Sequence, residues 1–192
     1  MNRRKAIYGV LLGTAGSAGL IGGFQWWKLT HSPDLPYLDT NHKLIGALAE
    51  TILPATPDSP GATEAGVAGF IVKMIKNCTP VKEQNSFIDG LKRLQDHCQT
   101  RYGAPYTQCS IARQEETMAW FERDGQPFNG IAGKILLRLR GRSFFQLLKD
   151  YTVEGYCTSE PGATKGLSYL PIPQSYHGCI PLQPGQKSWA ID

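Results

Sequence analysis

Four runs of apolar residues recur at helical spacing along this chain, each cut off by proline or glycine, and that punctuation leaves room for little but helices. The first run is Leu44, Ile45, Leu48, Ala49 and Ile52. It falls on one face of a helix over residues 40–53, with Asp39 placed to cap the start and Pro54 to end it. Residues 55–62 carry Pro57, Asp58, Pro60 and Gly61 and read as a turn-rich loop. A second helix opens near Thr63, with Val67, Phe70, Ile71, Met74 and Ile75 as its core stripe. A third, over residues 82–100, buries Phe87, Ile88, Leu91, Leu94 and Cys98, and Gly103 with Pro105 breaks it. Ser110 then suits the N-cap of a fourth helix that points Ile111, Met118 and Phe121 inward. After the turn at Gly125, Gln126 and Pro127, a long fifth helix is expected over residues 129–151.

The remaining stretch, residues 152–192, holds Pro161, Pro171, Pro173, Pro181 and Pro184 and admits no long helix or central strand. Tyr156, Tyr169, Leu170, Tyr176, Ile180 and Trp189 give it apolar anchors that a disordered tail lacks. The expectation is an all-α domain over residues 40–192, with an irregular C-terminal wrap that docks on its helices or on a partner. Residues 29–39 read as a linker.

Residues 1–28 form a separate unit. Arg3 and Arg4 precede an uncharged, glycine-diluted stretch of 19 residues, positions 6–24. A paired arginine before a short, weakly apolar run reads as a twin-arginine export signal. Such a run spans roughly 28 Å as a helix, enough for a bilayer core. Trp26, Trp27 and Lys28 then resemble an interfacial belt. A cleaved signal and a retained anchor both fit, and either puts the body on the periplasmic side of a bacterial cytoplasmic membrane.

The net charge of +4 includes Arg3, Arg4 and Lys5 at the start, so the rest of the chain carries +1 and offers no footprint for nucleic acid. Dinucleotide, phosphate-loop, serine-hydrolase, zinc-protease and haem-attachment motifs are all missing from the sequence. His97, Cys98, His177 and Cys179 are the residues a metal site would draw on, but they lack tight ligand spacing and read as structural. Lys134, Arg138 and Arg142 recur every four residues and read as a solvated helix face or a patch for an acidic partner.

Five cysteines in an exported chain argue for disulfides, and their odd number leaves one thiol over. Cys98 and Cys109 flank a short turn and close easily. Cys78 should lie about 20 Å along the third helix from Cys98, beyond disulfide reach. Cys179 is left to bond Cys78 or Cys157.

Residues 49–67, AETILPATPDSPGATEAGV, resemble the first signature of the gluconate 2-dehydrogenase subunit 3 family. Residues 154–169, EGYCTSEPGATKGLSY, are similar to its second, and so is the end, from Gly178-Cys-Ile-Pro to Trp189 and Ala190. The resemblance implies a non-catalytic small subunit with no cofactor of its own. Its expected partner is a glucose-methanol-choline-type large subunit holding FAD, with a cytochrome subunit carrying haem c. The small subunit supplies the signal read by the twin-arginine translocation machinery, and Tyr156, Tyr169, Tyr176 and Trp189 are its interface candidates. Cys157 stands where that pattern favours an aromatic, which marks it as the spare thiol. The alternative class is an independent, membrane-anchored periplasmic binding protein or enzyme, which would need a polar constellation the sequence does not display.

Overall fold

Proline and glycine punctuation sets the helix ends seen in the computed structural model. It describes residues 31–126, 141–170, 172, 179, 181–182 and 184–190. The leader, with Arg3 and Arg4, and the first half of the expected fifth helix lie outside these residues. Helix α1, Pro36–Thr40, takes up part of the expected linker: Pro36 starts it and Leu38 is fully buried. Helix α2, His42–Ile52, buries Leu44, Ile45, Leu48 and Ala49 as the spacing predicts. Asp39 does not cap it. Its carboxylate sits within α1 and pairs with Lys76 at 2.6 Å, and Asn41 holds the cap position with its side chain bonded to Tyr37 and Gln95 instead of capping the helix.

Helix α3, Val67–Cys78, begins four residues later than expected, because residues 63–66 are turns that end in Gly66. Helix α4, Val81–Tyr102, follows Pro80 and stops at Gly103. A short 3-10 turn, Tyr106–Gln108, leads to helix α5, Ile111–Asp124. Met118 and Phe121 face the core, but Ile111 is 73% exposed. The periodicity aligns it with Met118, yet burial also needs a covering neighbour, and the first turn of α5 reaches the surface.

The single long fifth helix is not what forms. Gly141, at φ 78°, sits in a conformation that side chains avoid, and Ser143 then starts a new helix. Helix α6, Phe144–Cys157, opens with a capping box: the Gln146 N–H donates to Ser143 Oγ, and the Ser143 N–H to Gln146 Oε1. It runs past Tyr151 to Cys157, so the irregular tail begins later than residue 152.

α6 is the hub of the fold, packing on α2, α3, α4 and α5. Phe144, Leu147, Leu148, Tyr151, Thr152, Gly155 and Tyr156 line its buried side at helical spacing. Gly90 lets α4 approach it, because a Cβ there would overlap the Phe144 ring. Beyond α6 come a π-helical turn, Gly162–Gly166, and an isolated parallel bridge between Ser168 and Trp189. Among the described residues there is no strand, and no helix is long and apolar enough to cross a membrane.

Candidate functional site

Described residues of the three stretches that carry the family resemblance are bonded to one another. The loop after α2 is folded around Glu50. Its carboxylate accepts the Ala55 N–H at 3.0 Å and the Thr63 N–H at 2.7 Å, while Gly61 packs against it. Burial alone would push the Glu50 carboxyl up, but the bonds from Thr63 and Ala55 outweigh it and hold the group below its usual range. Against this loop lies α6, whose Tyr156 hydroxyl donates to the Pro60 carbonyl at 3.0 Å. The π-helical turn crosses the same ring, and its Lys165 pairs with Glu64 at 3.3 Å.

The final segment is tied to both. Lys187 Nζ donates to the Asp58 carbonyl at 2.9 Å and the Lys165 carbonyl at 2.5 Å. The Ser168 N–H donates to Ser188, and the Ala190 N–H returns a bond to Ser168. An open groove of about 570 Å³ runs along this segment, between Ser168, Pro181, Gly185, Lys187 and Trp189.

Exposed apolar residues include Trp189 in the groove's lining and residues adjacent in sequence to Ser168 and Pro181. Tyr169, Leu170 and Trp189 are nearly half exposed, Ile172 is 77% exposed and Leu182 83%. Of the expected interface residues, Tyr169 and Trp189 lie here, and Tyr176 is outside the described residues. Tyr156 is not at the surface; it is buried in the joint between loop and helix, because its hydroxyl finds a partner inside. Ile172 and Leu182 were missed, although Pro171, Pro173 and Pro181 beside them carry the signal. A proline-flanked apolar residue joins no helix or ladder easily and is left outside.

A second polar cluster ties α6 to its neighbours. Glu83, at the start of α4, is buried and accepts from Arg142 three times: the backbone N–H at 3.0 Å, Nε at 3.2 Å and Nη2 at 3.0 Å. Arg142 also donates to the Tyr151 hydroxyl at 3.1 Å and pairs with Asp150 at 3.3 Å. The Tyr151 hydroxyl in turn meets Thr79 Oγ1 at 2.9 Å. Burial pulls the guanidinium pKa down, but the bonds to Glu83 and Tyr151 more than reverse that and raise it. Arg142 is therefore no part of a solvated stripe, and Lys134 and Arg138 lie outside the described residues. Every group in the cluster is satisfied by another, which makes it a structural clasp.

The cysteines are free thiols, so the disulfides expected from the sequence are not present in this structure. Cys78 and Cys179 are exposed, and Cys157 is half-buried at the end of α6. Cys98 is fully buried, 3.9 Å from Thr117 Oγ1, and the Cys109 thiol donates to the Pro105 carbonyl at 3.5 Å. Burial raises the Cys98 thiol most, and Cys109 adds to it. His97 turns away from this pair and stacks on Trp120 at 4.8 Å, while His177 lies outside the described residues. Among the described residues no three His, Cys, Asp or Glu side chains are grouped to hold a metal ion.

The helical body thus carries exposed apolar residues beside a groove that its own loops brace. The family follows from the sequence: residues 39–173 match the model for gluconate 2-dehydrogenase subunit 3, and the chain belongs to that family. That family is a subunit of an oxidoreductase complex, and membership implies association with the other subunits of such a complex. The chain matches no curated protein and no solved structure.

Proposed function

We propose that this chain is the non-catalytic small subunit of a flavin-dependent sugar or aldonate dehydrogenase, and that it assists assembly, export and membrane association of the large subunit. In this reading the large subunit is of the glucose-methanol-choline type and holds the FAD. A cytochrome subunit with haem c takes the electrons onward. Arg3 and Arg4 address the assembled pair to the twin-arginine translocation machinery, which delivers it to the periplasmic side of the cytoplasmic membrane.

The observation that carries the proposal is the apolar surface of Tyr169, Leu170, Ile172, Leu182 and Trp189. It is contiguous with segments that the family resemblance singles out, and exposed aromatic and aliphatic groups around a groove mark a protein-binding face. The groove does not suit flavin. It is open, and its lysine, Lys187, is already bonded to two backbone carbonyls rather than free for a diphosphate. A covalently held haem would need a Cys-x-x-Cys-His motif, which the sequence lacks. In this reading both cofactors belong to partners.

The test is co-expression of the flavoprotein with the wild-type chain, with the Leu182→Asp/Trp189→Ala variant and without the chain. The variant should lose co-purification by at least tenfold while its own Tm stays within about 1 °C, since surface substitutions perturb stability little. Export is read separately, by replacing Arg3 and Arg4 with lysine and fractionating the cells. Equal flavin-loaded periplasmic activity in all arms would end the proposal.

A further inference from the structure

We infer that residues 184–190 form a strap that opens and closes as a unit, with Lys187 as its latch and Gly185 as its hinge. The strap is a property of the lone chain, independent of any partner. The segment crosses the surface rather than entering the core. Residues 184–189 are exposed and Ala190 is half-buried. Among the described residues, the buried core and the apolar groups packed on it end at Cys157. A segment with so little apolar burial separates from the body at far smaller cost than a helix does.

Its ties to the body are polar, and they converge. The Lys187 ammonium donates to the Asp58 carbonyl at 2.9 Å and to the Lys165 carbonyl at 2.5 Å, and both bonds lie at the surface. The Ser168 N–H donates to the Ser188 carbonyl at 2.8 Å, and the Ala190 N–H to the Ser168 carbonyl at 2.9 Å. The residues on the far side of these bonds are positioned by other contacts. Asp58 belongs to the loop folded around Glu50, and Lys165 to the π-helical turn whose Gly166 abuts the Tyr156 ring. The seat therefore stays in place when the strap leaves it.

At the upstream end Pro184 and Gly185 turn the chain, and Gly185 takes φ 74° with open space where a Cβ would stand. Glycine visits both signs of φ at little cost, while proline is locked, so the pivot falls at Gly185. Opening carries Trp189 out of the groove it lines and bares the carbonyls of Asp58 and Lys165 with both backbone groups of Ser168. Lys187 sets the balance between the two forms. A cationic donor bonds a carbonyl more strongly than a neutral one does, and this one holds two separate parts of the body at once.

The experiment is hydrogen exchange on the full-length chain, read amide by amide by NMR. The Ser168 and Ala190 amides report the strap, because each donates across the junction, and the buried Leu148 and Thr152 of α6 report the body. In the wild type the two strap amides should be protected to a similar degree, and at least about tenfold less than the α6 pair. Lys187→Met keeps the stem and removes the donor. It should lower protection at Ser168 and Ala190 together by about five- to tenfold, the effect of losing two modest hydrogen bonds, with α6 unchanged. Lys187→Arg, which restores a cationic donor, should recover most of the loss. Strap amides as well protected as α6, or unprotected in the wild type, would overturn the inference. So would a Lys187→Met protein in which only one of them changes, neither changes, or α6 loosens with them.

Discussion

Arg142→Ala is the substitution that bears hardest on how α6 is held in place. It removes two guanidinium bonds from a Glu83 side chain that is 10% exposed, together with the bonds to Tyr151 and Asp150. Breaking a fully buried ion pair from one side costs about 3–5 kcal/mol, and an exposed pair contributes about 0–1 kcal/mol. This pair lies between, because the Arg142 side chain is 36% exposed. Glu83 also keeps the backbone N–H of residue 142 after the change. The expected loss is therefore about 2 kcal/mol, or about 4–8 °C in Tm for a chain of this size. Glu83→Ala should cost less, because Arg142 retains Asp150, Tyr151 and access to water. Thermal and urea unfolding of both single variants and the double variant should return a coupling of about 1–2 kcal/mol. An Arg142→Ala protein within about 0.5 kcal/mol of wild type, or strictly additive losses, would refute the view that this clasp stabilises the hub.

Two further predictions follow from packing and titration. Gly90→Ala should cost about 1–2 kcal/mol, because its Cβ overlaps Phe144 and that strain exceeds the helix-propensity gain of about 1 kcal/mol. The control is Gly46→Ala, whose Cβ would meet Ala68 at an ordinary 3.6 Å and should be neutral or stabilising by urea denaturation. Glu50→Gln should cost about 1 kcal/mol at neutral pH, through weaker acceptance from Ala55 and Thr63. The folded pKa of Glu50 is depressed, so its contribution is present above the unfolded value of about 4.3 and fades as pH falls through the folded one. Unfolding curves of wild type and Glu50→Gln should converge in that acid range, and a constant gap down to the lowest pH would contradict the assignment.

The helical body was legible because burial at 3.6-residue spacing and the stops at Pro54 and Gly103 act locally. What failed to read was the break before α6. The run of apolar and cationic residues across 129–151 keeps helical periodicity straight through it. The competing signal, Ser143 followed three residues later by Gln146, was present and outweighed by that run. The candidate site was half visible. Proline density marked the tail as irregular, and aromatic content marked it as sticky. Residue type alone could not separate Tyr156, which finds Pro60 inside, from Trp189, which remains half exposed. Arg142 misled for the same reason: its partner, Glu83, lies 59 positions away, and no local pattern announces that pairing.

The position of α6 in the chain has a consequence for biosynthesis. Four earlier helices share it as their common neighbour, so none of them is sealed until Phe144–Cys157 has been made. A ribosome that stalls before that point releases a polypeptide whose greasy stripes have nothing to close upon, a ready target for chaperones and proteases. Quality control by the cell thus begins with the order in which the residues are strung together, because an unfinished copy has no shelter for its interior.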